Sequence, residues 1–374
     1  TTLKLVAAPA IAETVQEITK RDLDASCVVL RVVPQNSADV AAALAAGKDE
    51  VPALWIPDSS LWPKRTRQEA TSLGSTTIKI EEHEPVAISP LVAVTNRKDA
   101  EQLGWPTTQP GWQDLIAGQV ATTIGDPLST SEGLATLLVV RRLLGNPDGT
   151  PRPELVSALL RVGQGAVPAI QAAYDQLSAA QEPLAFTATE QSVVAHNRVI
   201  GRSSVVAIYP KEGTLALDYP VVRVTRPDEP YGVAQAAELV EAALRTPQAV
   251  RDLQAEGFRD PDGVIGDQLD RNAGISVSKP TLIPLPAVEQ ATEVLRTWSA
   301  VNLQARLLVL MDISGSMDAD AGGGKTRIEL ARDAATTALA LYPDNTDVGL
   351  WAFSVQQSPP NDWVEMVAMG RLND

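Results

Sequence analysis

Residues that build disulfides, metal clusters and membrane spans are nearly missing from this chain. Of 374 residues, one is cysteine, two are histidine and three are phenylalanine. A single cysteine, Cys27, closes no internal disulfide. It stands before the apolar run Val28–Val33, so it is expected to be a buried small hydrophobe rather than a nucleophile. His83 and His196 are too far apart to form a His/Cys ligand pattern. No run of about 18 apolar residues exists, which excludes an ordinary transmembrane helix. Positive charge is also scarce: 31 Lys and Arg against 46 Asp and Glu leave a formal charge of −15. Nucleic acid and anionic lipid would both be repelled, so neither is expected as a partner. Gly322-Gly323-Gly324-Lys325-Thr326 looks like the end of a phosphate-binding loop, but Ala319 stands where the first glycine is required. No nucleophile is paired with a base, and no enzyme is expected.

What is present is a soluble-protein composition, with 44% apolar and 21% charged residues, long enough for two or three compact units. The opening Thr1, with no charged and apolar leader, is read as a processed or trimmed terminus. Strand and helix patterns alternate from the start. Leu3–Ala7, Val28–Val33, Ala53–Ile56, Val86–Thr95, Val120–Ile124, Leu184–Thr187, Val205–Tyr209 and Tyr219–Val224 read as strands. Helical stretches lie between them, among them Ala38–Ala46, Leu134–Leu144 and Ala234–Arg245. Such alternation predicts parallel α/β architecture. Pro280, Pro284 and Pro286 mark a boundary, and Val288, Ala291, Val294 or Leu295, and Trp298 form one helical stripe, expected to dock against a domain.

Several segments occur in an order that resembles the bacterial extracellular solute-binding proteins of the two-lobed periplasmic type, nearest the molybdate-binding-like branch. They are Leu3–Ala10, Trp55–Ser60, Gly111–Leu115, Ile124–Pro127 leading to Ser131–Gly133, and Ile208–Thr214 before Asp218–Pro220. The resemblance implies a periplasmic-binding-protein fold over residues 1–285. Lobe one is then 1–88 and 216–285, and lobe two is 96–210, with crossings near Val86–Thr95 and Tyr219–Val224. Four strand-to-helix turns carry small or hydroxyl residues: Ala8-Pro9-Ala10, Asp58-Ser59-Ser60, Ser129-Thr130-Ser131 and Thr187-Ala188-Thr189. Helix amino termini offer N–H groups and a positive dipole end. Ala8, Pro9, Ser59, Ser60, Ser129, Thr130, Ser131, Thr187 and Thr189 are therefore candidate contacts to a small molecule. The plainer alternative is that these residues simply cap their helices, and Asp58 would repel a simple oxyanion.

Near the carboxyl end, the apolar run Leu307–Met311 delivers Asp312-Ile313-Ser314-Gly315-Ser316 into a tight turn. One carboxylate and two hydroxyls suit a hard divalent cation, Mg²⁺ or Mn²⁺, with Ca²⁺ as a further candidate. Residues 306–311 have the pattern of a strand buried on both faces. Thr326 and Glu329 have capping-box spacing before a helix reaching Leu341, and Val348–Val355 and Trp363–Met369 read as strands. Asp-x-Ser-x-Ser in this setting resembles the metal-ion-dependent adhesion site of von Willebrand factor A domains. The resemblance implies the first part of a doubly wound α/β module, incomplete as it stands, over 304–374, preceded by a linker helix at 286–303. It also implies Asp312, Ser314 and Ser316 as metal ligands and a protein partner bound through the ion. Later ligands of that family have no match before Asp374, so metal binding is expected to be weak or absent if the module ends there. The combined expectation is an exported, extracellular or cell-surface, actinobacterial-type adhesion protein, with a membrane anchor outside this chain. The alternative is a transport receptor with the A module accessory. The two likenesses identify neither the solute nor the protein partner.

Overall fold

The computed structural model describes residues 1–47, 51–74, 78–116, 120–146, 150, 152–201, 204–267, 269, 273–302, 306–339, 342 and 346–372. It contains two compact units, Thr1–Val301 and Asn302–Asp374.

The first unit begins with β1 (Thr2–Ala7), α1 (Pro9–Asp22), β2 (Val29–Pro34), α2 (Ser37–Ala45), β3 (Leu54–Ile56), α3 (Leu61–Ser72) and β4 (Lys79–Pro85). It continues with β5 (Ser89–Asn96), α4 (Arg97–Gln102), α5 (Trp112–Ile116), β6 (Ala121–Thr123), α6 (Ser131–Leu144), α7 (Pro153–Gln164) and α8 (Ile170–Ala179). Next are β7 (Leu184–Thr189), α9 (Glu190–Ile200), β8 (Val205–Ile208), β9 (Ala216–Leu217), β10 (Pro220–Thr225), α10 (Val233–Leu244), α11 (Pro247–Ala255) and α12 (Val288–Asn302). One sheet has the order β2-β1-β3-β10-β4; the other runs β6-β7-β5-β8, with β9 pairing β5. Each sheet with its helices is one lobe.

Both sheets are mixed rather than parallel. β1 is parallel to β2 and β3, while β10 is antiparallel to β3 and β4, and β5 is antiparallel to β7, β8 and β9. β5 and β10 are the strands on which the chain arrives from the opposite lobe, so they enter against the direction set by the strand–helix–strand repeats. The crossings fall between β4 and β5 and between β9 and β10. At the second, Tyr219 adopts φ 27°, unusual backbone for a bulky residue.

The expectation that 216–285 belongs to lobe one needs correction. Ile265, Leu269, Ala273 and Ile275 pack with Val92, Val94, Phe186 and Ala207, in the core of the second lobe. The cause is a buried ion pair: Arg259 Nε donates to Glu190 Oε2 of α9 at 2.7 Å, with 1% and 0% side-chain exposure. Arg259 also donates to the carbonyls of Gly263 and Ser276 and so folds this segment onto α9. Cys27 is exposed, in contrast to the buried hydrophobe expected.

The amphipathic stripe of α12 is buried: Ala291, Val294, Leu295 and Trp298 join the main core of the first unit. Its polar side touches both lobes. Glu293 pairs with Arg141 of α6 at 2.6 Å, and the Thr292 hydroxyl donates to Gln68 Oε1 of α3 at 3.0 Å. Among the described residues no helix is long and apolar enough to cross a membrane.

The second unit has β11 (Arg306–Asp312), α13 (Arg327–Leu339), β12 (Asp347–Ser358) and β13 (Asn361–Arg371). Its sheet order is β11-β12-β13, the first pair parallel and the second antiparallel. The capping box forms: Thr326 N donates to Glu329 Oε2 at 2.7 Å and Glu329 N to Thr326 Oγ1 at 3.4 Å. β11 has no fully buried residue, contrary to the two-face burial its apolar run predicts. α13 likewise has no buried residue among those described.

Candidate functional site

The first oxygen-rich turn follows β3. Trp55 and Ile56 are fully buried, and the chain turns through Pro57 to present Asp58, Ser59 and Ser60 at the start of α3. Opposite stands the amino end of α6. Its cap is Thr130, whose hydroxyl accepts from Gly133 N at 3.2 Å and donates to Asp126 O at 2.9 Å. A Cβ at Gly133 would lie 2.1 Å from the Gly125 carbonyl oxygen, so Ser131-Glu132-Gly133 can close this turn only with glycine at its end.

The two turns meet. Ser131 Oγ donates to Asp58 Oδ1 at 2.6 Å and accepts from Trp62 Nε1 at 2.5 Å. Asn36 Nδ2 donates to Ser129 O at 3.0 Å. Asp58, Trp62 and Asn36 belong to the first lobe, Ser129 and Ser131 to the second, so three hydrogen bonds join the lobes. On the first-lobe side, Asp218 Oδ1 accepts from Ser60 N at 2.7 Å, and Ser59 Oγ accepts from Leu61 N at 3.2 Å. Lys64 Nζ reaches Ser60 Oγ at 3.3 Å and Glu82 at 3.8 Å.

The other candidates are placed less centrally. Ala8 is buried and donates its N–H to Ile56 O at 2.8 Å, while Pro9 is exposed at the first position of α1. Thr187 accepts from Thr136 Oγ1 at 2.8 Å, and Thr189 caps α9 by accepting from Ser192 N at 3.2 Å. Both are engaged inside the second lobe. The sequence offers Trp62 as a residue that could line a site, with core packing as its commoner fate, and points to no role in binding for Asn36, Glu132, Asp218 and Tyr219. The positive φ of Tyr219 beside Pro220 became visible only in the backbone.

Electrostatically this is an acidic place. Burial pushes the Asp58 carboxyl up, against the pull of the Ser131, Ser37 and Trp62 donors. Burial and then the charge of Asp58 raise Glu132 from an ordinary 4.5 to about 7. Asp218 is also raised by burial, countered by its bonds to Ser60 and by Lys64. Glu132 lies deep among protein atoms yet keeps a solvent-accessible edge, as do Asp58 and Asp218.

In the second unit, Asp312 Oδ1 accepts from Ser314 N at 2.8 Å, and Ser314 Oγ lies 3.0 Å from Ser316 Oγ. Asp312 and Ser314 are partly exposed and Ser316 is exposed. The Ser314 N–H, then its hydroxyl, holds the Asp312 carboxyl below its ordinary range. The three oxygen-bearing residues thus share one solvent-reachable loop, a donor set of the hard type that suits Mg²⁺ or Mn²⁺. Among the described residues no group of three or more Asp, Glu, His or Cys side chains is positioned to hold a metal.

Comparison with known proteins places the first unit. Residues 3–259 match the family described as bacterial extracellular solute-binding protein. A periplasmic thiamin-binding protein has 14% identity and a TM-score of 0.59, over 80% of this chain and 96% of its own. Iron-bound HitA from Pseudomonas aeruginosa has 12% identity and a TM-score of 0.59, over 81% and 100%. The sulfate-binding protein SubI from Mycobacterium tuberculosis has 16% identity and a TM-score of 0.52, over 74% and 93%. No curated protein matches the chain. At these identities the structural likeness speaks for fold alone, but the family match spans more than half of the sequence. The chain belongs to the bacterial extracellular solute-binding proteins.

Proposed function

We propose that the first unit is a non-enzymatic, exported receptor that closes its two lobes on a small solute and serves a membrane transport or sensing system. The observation that carries this reading is Ser131, which bridges Asp58 and Trp62 from the facing lobe. Closure of two lobes about connecting strands is an ordinary hinge motion. The crossings beside β5 and β10 supply the hinge. A screen of metabolites by thermal shift tests the reading: a solute that binds the folded cleft raises the melting temperature, and the rise grows with the logarithm of its concentration over Kd. Failure of every solute to change either the melting temperature or the lobe separation would overturn it.

A second role for the carboxyl-terminal unit is supported by the shared loop of Asp312, Ser314 and Ser316. On this reading the unit is a von Willebrand A-type module that binds Mg²⁺ or Mn²⁺ and, through the ion, an acidic group of a protein partner. The chain would then be a receptor fused to an adhesive module at the cell surface. Calorimetric titration with Mg²⁺ is expected to show binding that Asp312→Ala abolishes. Equal titrations of the two proteins would contradict it.

A further inference from the structure

Two helices carry most of the contacts that join the lobes at the cleft, α3 of the first lobe and α6 of the second. Asp58 and Trp62 stand at the start of α3, and Ser129 and Ser131 at the start of α6. The same two helices are joined a second time, further along their length, by α12. Gln68 of α3 accepts from the Thr292 hydroxyl at 3.0 Å, and Arg141 of α6 pairs with Glu293 at 2.6 Å. At a rise of 1.5 Å per residue, Gln68 lies about 9 Å beyond Trp62 along α3, and Arg141 about 15 Å beyond Ser131 along α6.

Thr292 and Glu293 are neighbours in the chain, so adjacent residues of one helix hold one lobe each. The helix itself is well seated. Ala291, Val294, Leu295 and Trp298 are between 0% and 5% exposed, and the apolar core that takes them also holds Leu61 of α3 and Leu137 and Leu138 of α6. On the α6 side there is room for movement. A pocket of about 370 Å³ lies between α6 and the approach to α12, with Leu138, Arg141, Arg142, Ile283, Leu285 and Gln290 in its walls. Close-packed interiors resist sliding, whereas a seam with space beside it lets two helices shift.

On the receptor reading above, we infer that α12 is a strap across the two lobes, docked on both α3 and α6 when the cleft is shut and released from one of them when it opens. Parting the amino ends of α3 and α6 also parts Gln68 from Arg141, and adjacent residues on a rigid helix cannot follow both. One contact is then broken and the apolar stripe faces a widened seam. Such coupling is reciprocal: a docked α12 favours the shut cleft by the same factor that a shut cleft favours docking. The chain passes from α12 to β11 at Arg306, so the helix that responds to the cleft is the one that carries the second unit.

The test combines hydrogen–deuterium exchange of residues 288–302 in the full chain with the distance between spin labels at Cys27 in the first lobe and Gln181→Cys in the second. Ser131→Asp sets a carboxylate against Asp58 and opens the cleft. The label distance should lengthen and exchange in α12 should rise about tenfold or more, with β1 and β5 still protected because both lobes stay folded. In the reverse direction, Glu293→Arg with Trp298→Ala removes the ion pair and the largest buried side chain of the stripe. Faster exchange in α12 should then come with a longer, broader label distance, although every cleft residue is intact. Lobes that part in Ser131→Asp while α12 exchange stays unchanged would overturn the coupling and leave the receptor reading standing. An undocked α12 in the second variant with the lobes still shut would do the same. Lobes that fail to part in Ser131→Asp would overturn the strap and the receptor reading together.

Discussion

Asp58-Ser59-Ser60 and Asp312-Ile313-Ser314-Gly315-Ser316 are nearly the same chemical object, an aspartate and two serines at the end of an apolar strand. Their fates are opposite. The first turn is packed beneath the facing lobe, its serines 1% and 5% exposed and its carboxyl pushed up by burial. The second keeps solvent access, and a backbone N–H holds its carboxyl down. Residue type and spacing specify the oxygen donors. Burial decides whether those donors are taken up by the fold or remain open to solution.

The comparison is broken most severely by opening the interior of the second lobe, the lobe that faces the first turn. Arg259→Ala leaves the Glu190 carboxylate, 0% exposed, without its charge partner. Stranding a buried charge costs about 3–5 kcal/mol, so urea unfolding should show a large fall in midpoint. A change below about 1 kcal/mol would mean the segment after Arg259 is not held by this pair.

Titration sharpens the comparison next. Glu132 is raised to about 7 in the folded protein, so the folded state holds this proton more tightly than the unfolded chain does. Its protonated form contributes stability that is fully present below about pH 4.5 and is lost as pH rises through about 7. That difference is worth about 3 kcal/mol at most. The melting temperature of the ligand-free protein should therefore fall between about pH 5 and pH 8, and Glu132→Gln should flatten the profile. Asp312, held below its ordinary range, should contribute nothing to this trend in that window.

The smallest effect belongs to the exposed loop. Asp312→Ala removes a carboxylate that is not fully buried, and it should leave the unfolding midpoint essentially unmoved. A lowered midpoint, seen by chemical denaturation, would mean the loop is part of the structural framework.

Legibility from sequence followed periodicity and burial. The stripe Val288, Ala291, Val294, Trp298 was readable because one helical face is buried, and α12 does bury three of those four positions with Leu295. β4 was missed because it lies at a sheet edge and carries Lys79, Glu81, Glu82, His83 and Glu84, a composition that edges tolerate. α7 was missed although Leu155, Ala158, Leu159 and Val162 form its buried stripe, since flanking glycines and prolines read as loop. Cys27 and β11 were expected to be buried from adjacent apolar residues, but local hydrophobicity does not say which side of a sheet another layer covers. At the site, the serines and threonines were visible as helix-start residues. Asp218, Glu132 and Tyr219 were not assigned to the cleft, because their proximity to Asp58 depends on lobe closure, which no local pattern encodes.

Lobe closure itself is open to direct measurement. Cys27, the chain's single cysteine, is exposed in the first lobe, and Gln181 is exposed in the second. Spin labels at Cys27 and Gln181→Cys report their separation by double electron–electron resonance. A short, narrow distance is expected in the presence of a bound solute, and a longer, broader one in a Ser131→Asp variant, where repulsion from Asp58 drives the lobes apart. A single distance, unmoved by solute and by Ser131→Asp alike, would contradict the closing cleft.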